Sequence, residues 1–367
     1  MTITIKAKGR SPIVDHSFTV LLALVLSLLL TMLLIVLIGQ NPLIALASLW
    51  EGAFGNAYSI GTTFNKAVPL ILAGLSVAVG VKSGFFNIGA EGQICVGGLA
   101  ATWAALTLPG WLALPGAIVA GALAGGVWML VPAFLKIKRG VSEVITTLLM
   151  NYVGLYLLSY FVHGPLREPA AAGTISLPQS PAIPEYARLP LLLPGASRLH
   201  GGIILALVLV AVVWLIMQRT TWGYRLRMVG LNPNCTSYLG LNTKAIILSG
   251  MLLSGALAGL AGASEILGAQ YRLRDAFLPN YGYDAIAVAL LAQSNPLAVL
   301  FSATFFASLR SGAGMLQRTV GLSSSLVFII QAIPIIFIAC AAGKELLKYF
   351  LPAKKGKVIK NEPTADI

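Results

Sequence analysis

The residues that could do chemistry in this 367-residue chain are the ones that interrupt its apolar sequence. Asn87, Glu91 and Gln93 stand together in SGFFNIGAEGQICVGG, spaced among Gly84, Gly89 and Gly92. An ionisable group at membrane depth is costly unless it faces protein, water or a partner. Glycines let a helix break, and the freed backbone groups then need nearby side chains. Broken helices are also where transporters hold solutes and ions. Two roles are therefore open for Asn87 and Glu91: contacts along a solute path, or caps that pin the break. Asn151, in TTLLMNYVGLYLL beside Thr146, Thr147 and Tyr152, either lines a polar path or bonds between helices. Glu143 follows Ser142 at a helix start, where a first-turn carboxylate meets the positive helix end. Glu265 is placed to pair with Arg272 or Arg274. Asp284, in NYGYDAIAVALLAQSNP, fits a helix N-cap, with Tyr281 and Tyr283 as interfacial anchors.

Catalytic signatures are missing. The sequence has no H-E-x-x-H, G-x-S-x-G or C-x-x-C, and no phosphate-binding G-x-x-x-x-G-K-[ST]. Gly343-Lys344-Glu345 lacks both the first glycine and the hydroxyl of that loop. Cys95, Cys235 and Cys340 show no paired spacing, and His16, His163 and His200 are scattered. Neither a disulfide framework nor a metal site is indicated.

The elements that must position these residues are membrane spans. The chain is 57% hydrophobic and only 10% charged, against about 25% charged in soluble domains. Its mean hydropathy is +0.86. Repeated long apolar runs predict an all-α, polytopic transmembrane helical bundle. The net charge of +13 lies in short clusters between apolar runs, which fits the positive-inside rule and argues against nucleic acid. The basic start (Lys6, Lys8, Arg10) and Ala45-Leu46-Ala47 resemble a signal peptide. The apolar run 18–38 is longer than a signal-peptide core, however, so an uncleaved first span is expected.

About ten membrane passages are expected: 18–38, 61–81, 88–108, 112–135, 141–162, 201–217, 245–268, a short one at 284–292, then 297–309 and 326–342. Placing residues 1–17 and the tail 344–367 in the cytoplasm, around a transmembrane domain at 18–343, puts most lysines and arginines inside. Lys66, Arg310 and Arg318 then fall at or near the outer face. If the short passage were a re-entrant hairpin, the lysine-rich tail would fall outside, against the charge bias. The loop 163–200 holds so many prolines that a continuous helix is excluded, leaving a semi-rigid external segment, either a docking surface or a plain lid. GAIVAGALAGG and SGMLLSGALAGLAGA carry the small residues that let helices pack closely in lipid. Between two apolar blocks, 219–244 forms a basic insert punctuated by Gly, Asn and Pro, expected in the cytoplasm and facing a partner.

SGFFNIGAEGQ, TTLLMNYVGLYLL, VGLNPNCTSYLGLN and GYDAIAVALLAQSNP together resemble the permease subunits of bacterial ABC importers for ribose-like sugars, branched-chain amino acids and nucleosides. NIGAEGQ with LLMNY is most similar to the nucleoside and simple-sugar branch, and to the larger of two dissimilar permeases that work as a pair. The resemblance implies a type II importer fold in the bacterial inner membrane. It implies three partners: ATPase subunits that use the ATP, a second permease, and an extracytoplasmic solute-binding lipoprotein. No cofactor is expected on this chain. The family's coupling pattern G-x-N-x-x-A-A-x-x-x-G-I is matched at Gly230, Asn232, Gly240 and Leu241, with Cys235-Thr236 in place of the alanine pair. It implies ATPase contacts at Arg225, Arg227, Gly230, Asn232, Tyr238 and Gly240. The solute path is expected at Asn87, Glu91, Gln93 and Asn151. The rival expectation is an ion-coupled secondary transporter that relays a proton or sodium through Glu91 or Glu265.

Overall fold

The computed structural model describes residues 12–169, 177–193 and 195–321, with isolated positions between 329 and 337. Thirteen α-helices occupy the described residues: α1 (Pro12–Leu37), α2 (Pro42–Phe54), α3 (Ala57–Lys82), α4 (Ala90–Thr107), α5 (Ala113–Trp128), α6 (Leu130–Arg139), α7 (Glu143–His163), α8 (Gly202–Arg219), α9 (Thr221–Leu231), α10 (Pro233–Tyr238), α11 (Thr243–Glu265), α12 (Tyr281–Leu291) and α13 (Pro296–Val320). Six helical stretches among them are long and apolar enough to cross a membrane, by length and composition. The expected passage 326–342, residues 1–11 and the tail 344–367 lie outside the described residues, apart from the isolated positions.

Asparagine sets many of the helix starts. Asn41, Asn56, Asn232, Asn242 and Asn295 each accept a backbone N–H of the first turn, as N-caps do. Proline follows directly at Pro42, Pro233 and Pro296, where a missing N–H costs nothing. The expected passage 112–135 is divided between α5 and α6. Pro132 has no N–H to give the carbonyl four residues back, at Trp128, where α5 ends.

α3 is the centre of the bundle, with most of its residues buried from Gly61 to Gly80. α13 runs antiparallel to it: Lys66 meets Arg310, and Gly74 faces Val299. A second seam joins α4, α5 and α11, the two small-residue segments among them. Any side chain at Gly259 would run into the backbone of Gly121 and Gly125, and Gly97 packs on Gly259 in the same way. Close backbone approach of this kind is what holds helices together without a hydrophobic drive.

Three expectations change. The passage placed at 297–309 is the first half of α13, which continues to Val320. Ser302, Thr304 and Ser308 return their hydroxyls to carbonyls of the same helix, so polar residues do not end it. Arg310 therefore lies within a helix rather than beyond its end, with its side chain 15% exposed. Lys66 is likewise half-buried within α3. The third change is α2, an unforeseen helix that packs on α13, where Gly312 meets the backbone of Leu49.

The short passage is a half-helix. α12 starts in the interior, beside Glu91, and ends where Ser294 and Pro296 approach Lys82. The rest of that crossing, towards the Lys66 end, is the non-helical run 271–280. It is a full traverse rather than a hairpin.

Candidate functional site

Two broken helices meet in the middle of the bundle. The chain leaves α3 at Ser83, folds back through 84–89 and starts α4 in the interior. Asn87 holds this fold: its Oδ1 accepts from Gly89 N at 2.9 Å. Its amide faces Ser76 Oγ on α3 (3.1 Å), Ser254 Oγ on α11 (2.9 Å) and Gln93 Oε1 (2.9 Å). Gln93 also reaches Met129 Sδ at 3.2 Å. Asn151 on α7 accepts from Gly92 N at 2.8 Å and donates to the Ile88 carbonyl at 2.9 Å. Its amide also approaches Tyr283 Oη at 3.3 Å.

Glu91 caps another helix rather than its own break. Its Oε1 accepts from Asn280 N at 2.8 Å and its Oε2 from Gly282 N at 2.7 Å, so it closes the start of α12. No Cβ fits at Gly282, whose backbone lies directly on Glu91. Asn280 itself turns through the left-handed region at φ 65° and makes no side-chain cap. The structure thus brings Asn87, Glu91, Gln93 and Asn151 together in one buried layer, and each is held by groups of the chain.

Asp284 is not the N-cap. α12 begins three residues earlier, and Asp284 pairs with Arg310 at 2.7 Å. Arg310 also donates to the Pro279 carbonyl at 3.1 Å and lies over the Tyr281 ring. Tyr281 is buried rather than interfacial, because this end of α12 is inside the protein. Glu265 pairs with neither arginine: it accepts from Gln270 Nε2 at 3.0 Å, while Arg272 is taken by Glu168 in the loop. That arginine holds the Glu168 carboxyl below its usual range. Glu143 pairs with Lys136 at 2.7 Å, and Ser142 makes no side-chain cap. The relay expected of Glu91 loses its basis, since both carboxylate oxygens are committed to backbone N–H groups. The sequence signal for Arg310 was available in the small and hydroxyl residues that continue past Leu309 at helical spacing.

The loop 163–200 is more than a surface cover. In its described part, Ser180, Ile183 and Leu189 give their N–H groups to the carbonyls of Leu273, Tyr271 and Leu267. His200, fully buried at its end, accepts from Gly202 N through Nδ1, and burial pushes its pKa down to about 4.

The basic insert 219–244 folds as α9 and α10 at the Lys82 end of the bundle. Gly230 clamps it there, since its Cα lies against the Lys82 carbonyl and the backbone of Gly84, where no side chain fits. Trp222 Nε1 donates to Ser249 Oγ of α11 at 3.0 Å. Asn232 starts α10 by accepting from Asn234 N and Cys235 N at 3.0 and 3.1 Å. Gly240, at φ 75°, turns the chain out of it. Arg225 is exposed, but Arg227 turns inward and donates to Gln218 Oε1 at 3.2 Å. The free face carries Leu231, Tyr238 and Leu239, which are 88%, 91% and 61% exposed.

Residues 59–339 match the family described as branched-chain amino acid transport system / permease component. The chain is 37% identical over 330 residues to the guanosine ABC transporter permease protein NupP of Bacillus subtilis, covering 89% of this chain and 93% of that one. It is 36% identical to the glucose ABC transporter permease protein TsgB13 of Haloferax volcanii, over 83% of this chain and 82% of the relative. To the nucleoside ABC transporter permease protein NupB of Lactococcus lactis it is 32% identical, over 93% and 94%. No solved structure matches. A buried layer of braced half-helices, a small-residue seam and a clamped basic segment at one end are thus the parts of a multi-pass permease, and the chain belongs to the branched-chain amino acid transport permease family.

Proposed function

We propose that this chain is the larger of two dissimilar permeases in an inner-membrane ATP-driven importer for nucleosides or related sugars. A solute-binding lipoprotein delivers the solute and separate ATPase subunits hydrolyse the ATP. The relatives that carry nucleoside and glucose transport names support the solute class. In this assignment the Lys82 end is cytoplasmic, as the clustering of basic residues at 219–244 supports.

The observation that carries the coupling role is the free face of α9 and α10. Leu231, Tyr238 and Leu239 are large apolar side chains on an otherwise polar segment, and a second protein is what covers such a patch. Gly230, Asn232 and Gly240 shape the segment, Arg225 adds charge to its surface, and Arg227 ties it back to α8. ATPase closure would press on α10 and pass through Gly230 to the turn at 83–84, and so to the start of α4. Asn87, Glu91, Gln93 and Asn151 then hold the moving half-helices in register beside the solute path.

The test uses Tyr238→Ala and Leu231→Asp in the assembled complex. Both leave the melting temperature unchanged, because neither side chain packs on its own chain. Solute-driven ATP hydrolysis and uptake fall about tenfold or more, as for the loss of a central interface contact. Unchanged coupling in both variants sinks the assignment.

A further inference from the structure

Lys66 and Glu265 are charged groups inside the bundle that the brace does not use. They line a cavity of ≈590 Å³ beside the first half of α3, at the end away from Lys82. Tyr58, Thr62, Asn65, Gln270, Tyr271 and the exposed Arg198 complete its polar wall. Tyr58, Thr62 and Lys66 also line a second cavity of ≈290 Å³, so the two meet at these residues. The larger volume is that of a small-molecule site.

The groups facing this space have spare capacity. Lys66 Nζ donates to the Arg310 carbonyl at 3.1 Å and makes no ion pair among the described residues. Glu265 accepts from Gln270 through Oε1, and its Oε2 accepts from no described residue. Buried polar groups are ordinarily satisfied, and in the brace they are. An ammonium and a carboxylate that border one cavity without closing on each other are open to a ligand. Together they offer what adjacent hydroxyls need: an acceptor for the O–H groups and a donor to the oxygens. Tyrosine rings at the border suit the flat face of a sugar or a base.

We infer that this cavity is where the permease receives its solute, and that Lys66 and Glu265 recognise the vicinal hydroxyls of a neutral sugar or of a nucleoside ribose. The inference rests on the importer assignment, which makes this the extracytoplasmic side, facing the binding protein. It moves solute recognition away from the buried layer of Asn87, Glu91, Gln93 and Asn151.

The experiment uses the complete complex in lipid vesicles, with guanosine and glucose as probes. Wild-type ATP-driven uptake of either probe tests the importer assignment by itself. Thr62→Cys then reports on the cavity: an impermeant maleimide is added and labelling at residue 62 is followed by peptide mapping. The expected result is that guanosine or glucose slows labelling at least fivefold, and which one does so distinguishes nucleoside from free sugar. Glu265→Gln and Lys66→Gln remove this protection and reduce uptake at least tenfold, while Glu265→Asp restores part of both. Labelling that neither probe slows in a complex that transports one of them overturns the inference and leaves the assignment standing. Loss of uptake in Glu265→Gln with protection intact also overturns it, since the residue would then act only in holding the fold.

Discussion

At Glu91 each carboxylate oxygen meets a backbone N–H, whereas at Tyr238 nine-tenths of the side chain meets nothing in this chain. Both residues stood out in the sequence, one as a charge in apolar surroundings and one within a basic insert. Their surroundings separate them. A satisfied buried polar group fixes a conformation and has little left to offer a solute or partner. An exposed apolar group on a clamped segment does the reverse. Partner and solute contacts are therefore to be sought where groups have capacity left over.

The sharpest way to break this contrast is Glu91→Ala. It strands Asn280 N–H and Gly282 N–H in a water-poor interior, at about 1–3 kcal/mol for each orphaned donor. We expect little folded protein in detergent extracts, as read by size-exclusion chromatography. Glu91→Gln keeps one acceptor oxygen and should recover part of the yield. Normal folding of Glu91→Ala would mean that the α12 start does not depend on this carboxylate.

A smaller effect is expected at Gly230, which belongs to both sides of the contrast. Gly230→Val forces a side chain onto the Lys82 carbonyl and the Gly84 backbone, and overpacking of this kind costs about 1–3 kcal/mol. The variant should fold with a lowered melting temperature and lose coupling as fully as Tyr238→Ala, although Gly230 faces inward. A melting temperature equal to wild type would show that the clamp is slack.

The smallest effect concerns pH. His200 is held neutral, with a pKa near 4 in the folded protein against about 6.5 when unfolded. Between those values the unfolded state binds the extra proton, so stability falls as pH drops from about 6.5 towards 4. At pH 5 the loss should be about 1–2 kcal/mol relative to pH 7. His200→Gln should flatten that part of the stability–pH curve. An equally steep curve in the variant would assign the acid sensitivity elsewhere.

Much of the bundle was legible in the sequence because lipid imposes length and composition on a span. The small-residue seam was legible for the same reason, since close packing needs particular residue types. The break at 83–89 showed in its glycines, and the insert 219–244 in its charge. What stayed hidden depends on pairing across long sequence separations. Nothing local at Glu91 points to Asn280 and Gly282, and nothing at Arg310 points to Asp284. The end of α13 was misplaced because an arginine reads as an exit from the membrane unless its partner is known. α2 was overlooked because a short helix after a long span resembles a processing site, although Asn41-Pro42 marks its start.

The meeting of α4 and α12 at Glu91 has one more consequence. A helix start carries roughly half a positive charge from its aligned peptide groups. Glu91 lies in the first turn of α4 and accepts from the first residues of α12, so two such half-charges converge on one carboxylate. They sum to about one unit, which offsets part of the cost of a carboxyl group in the interior with no cationic side chain in contact with it among the described residues.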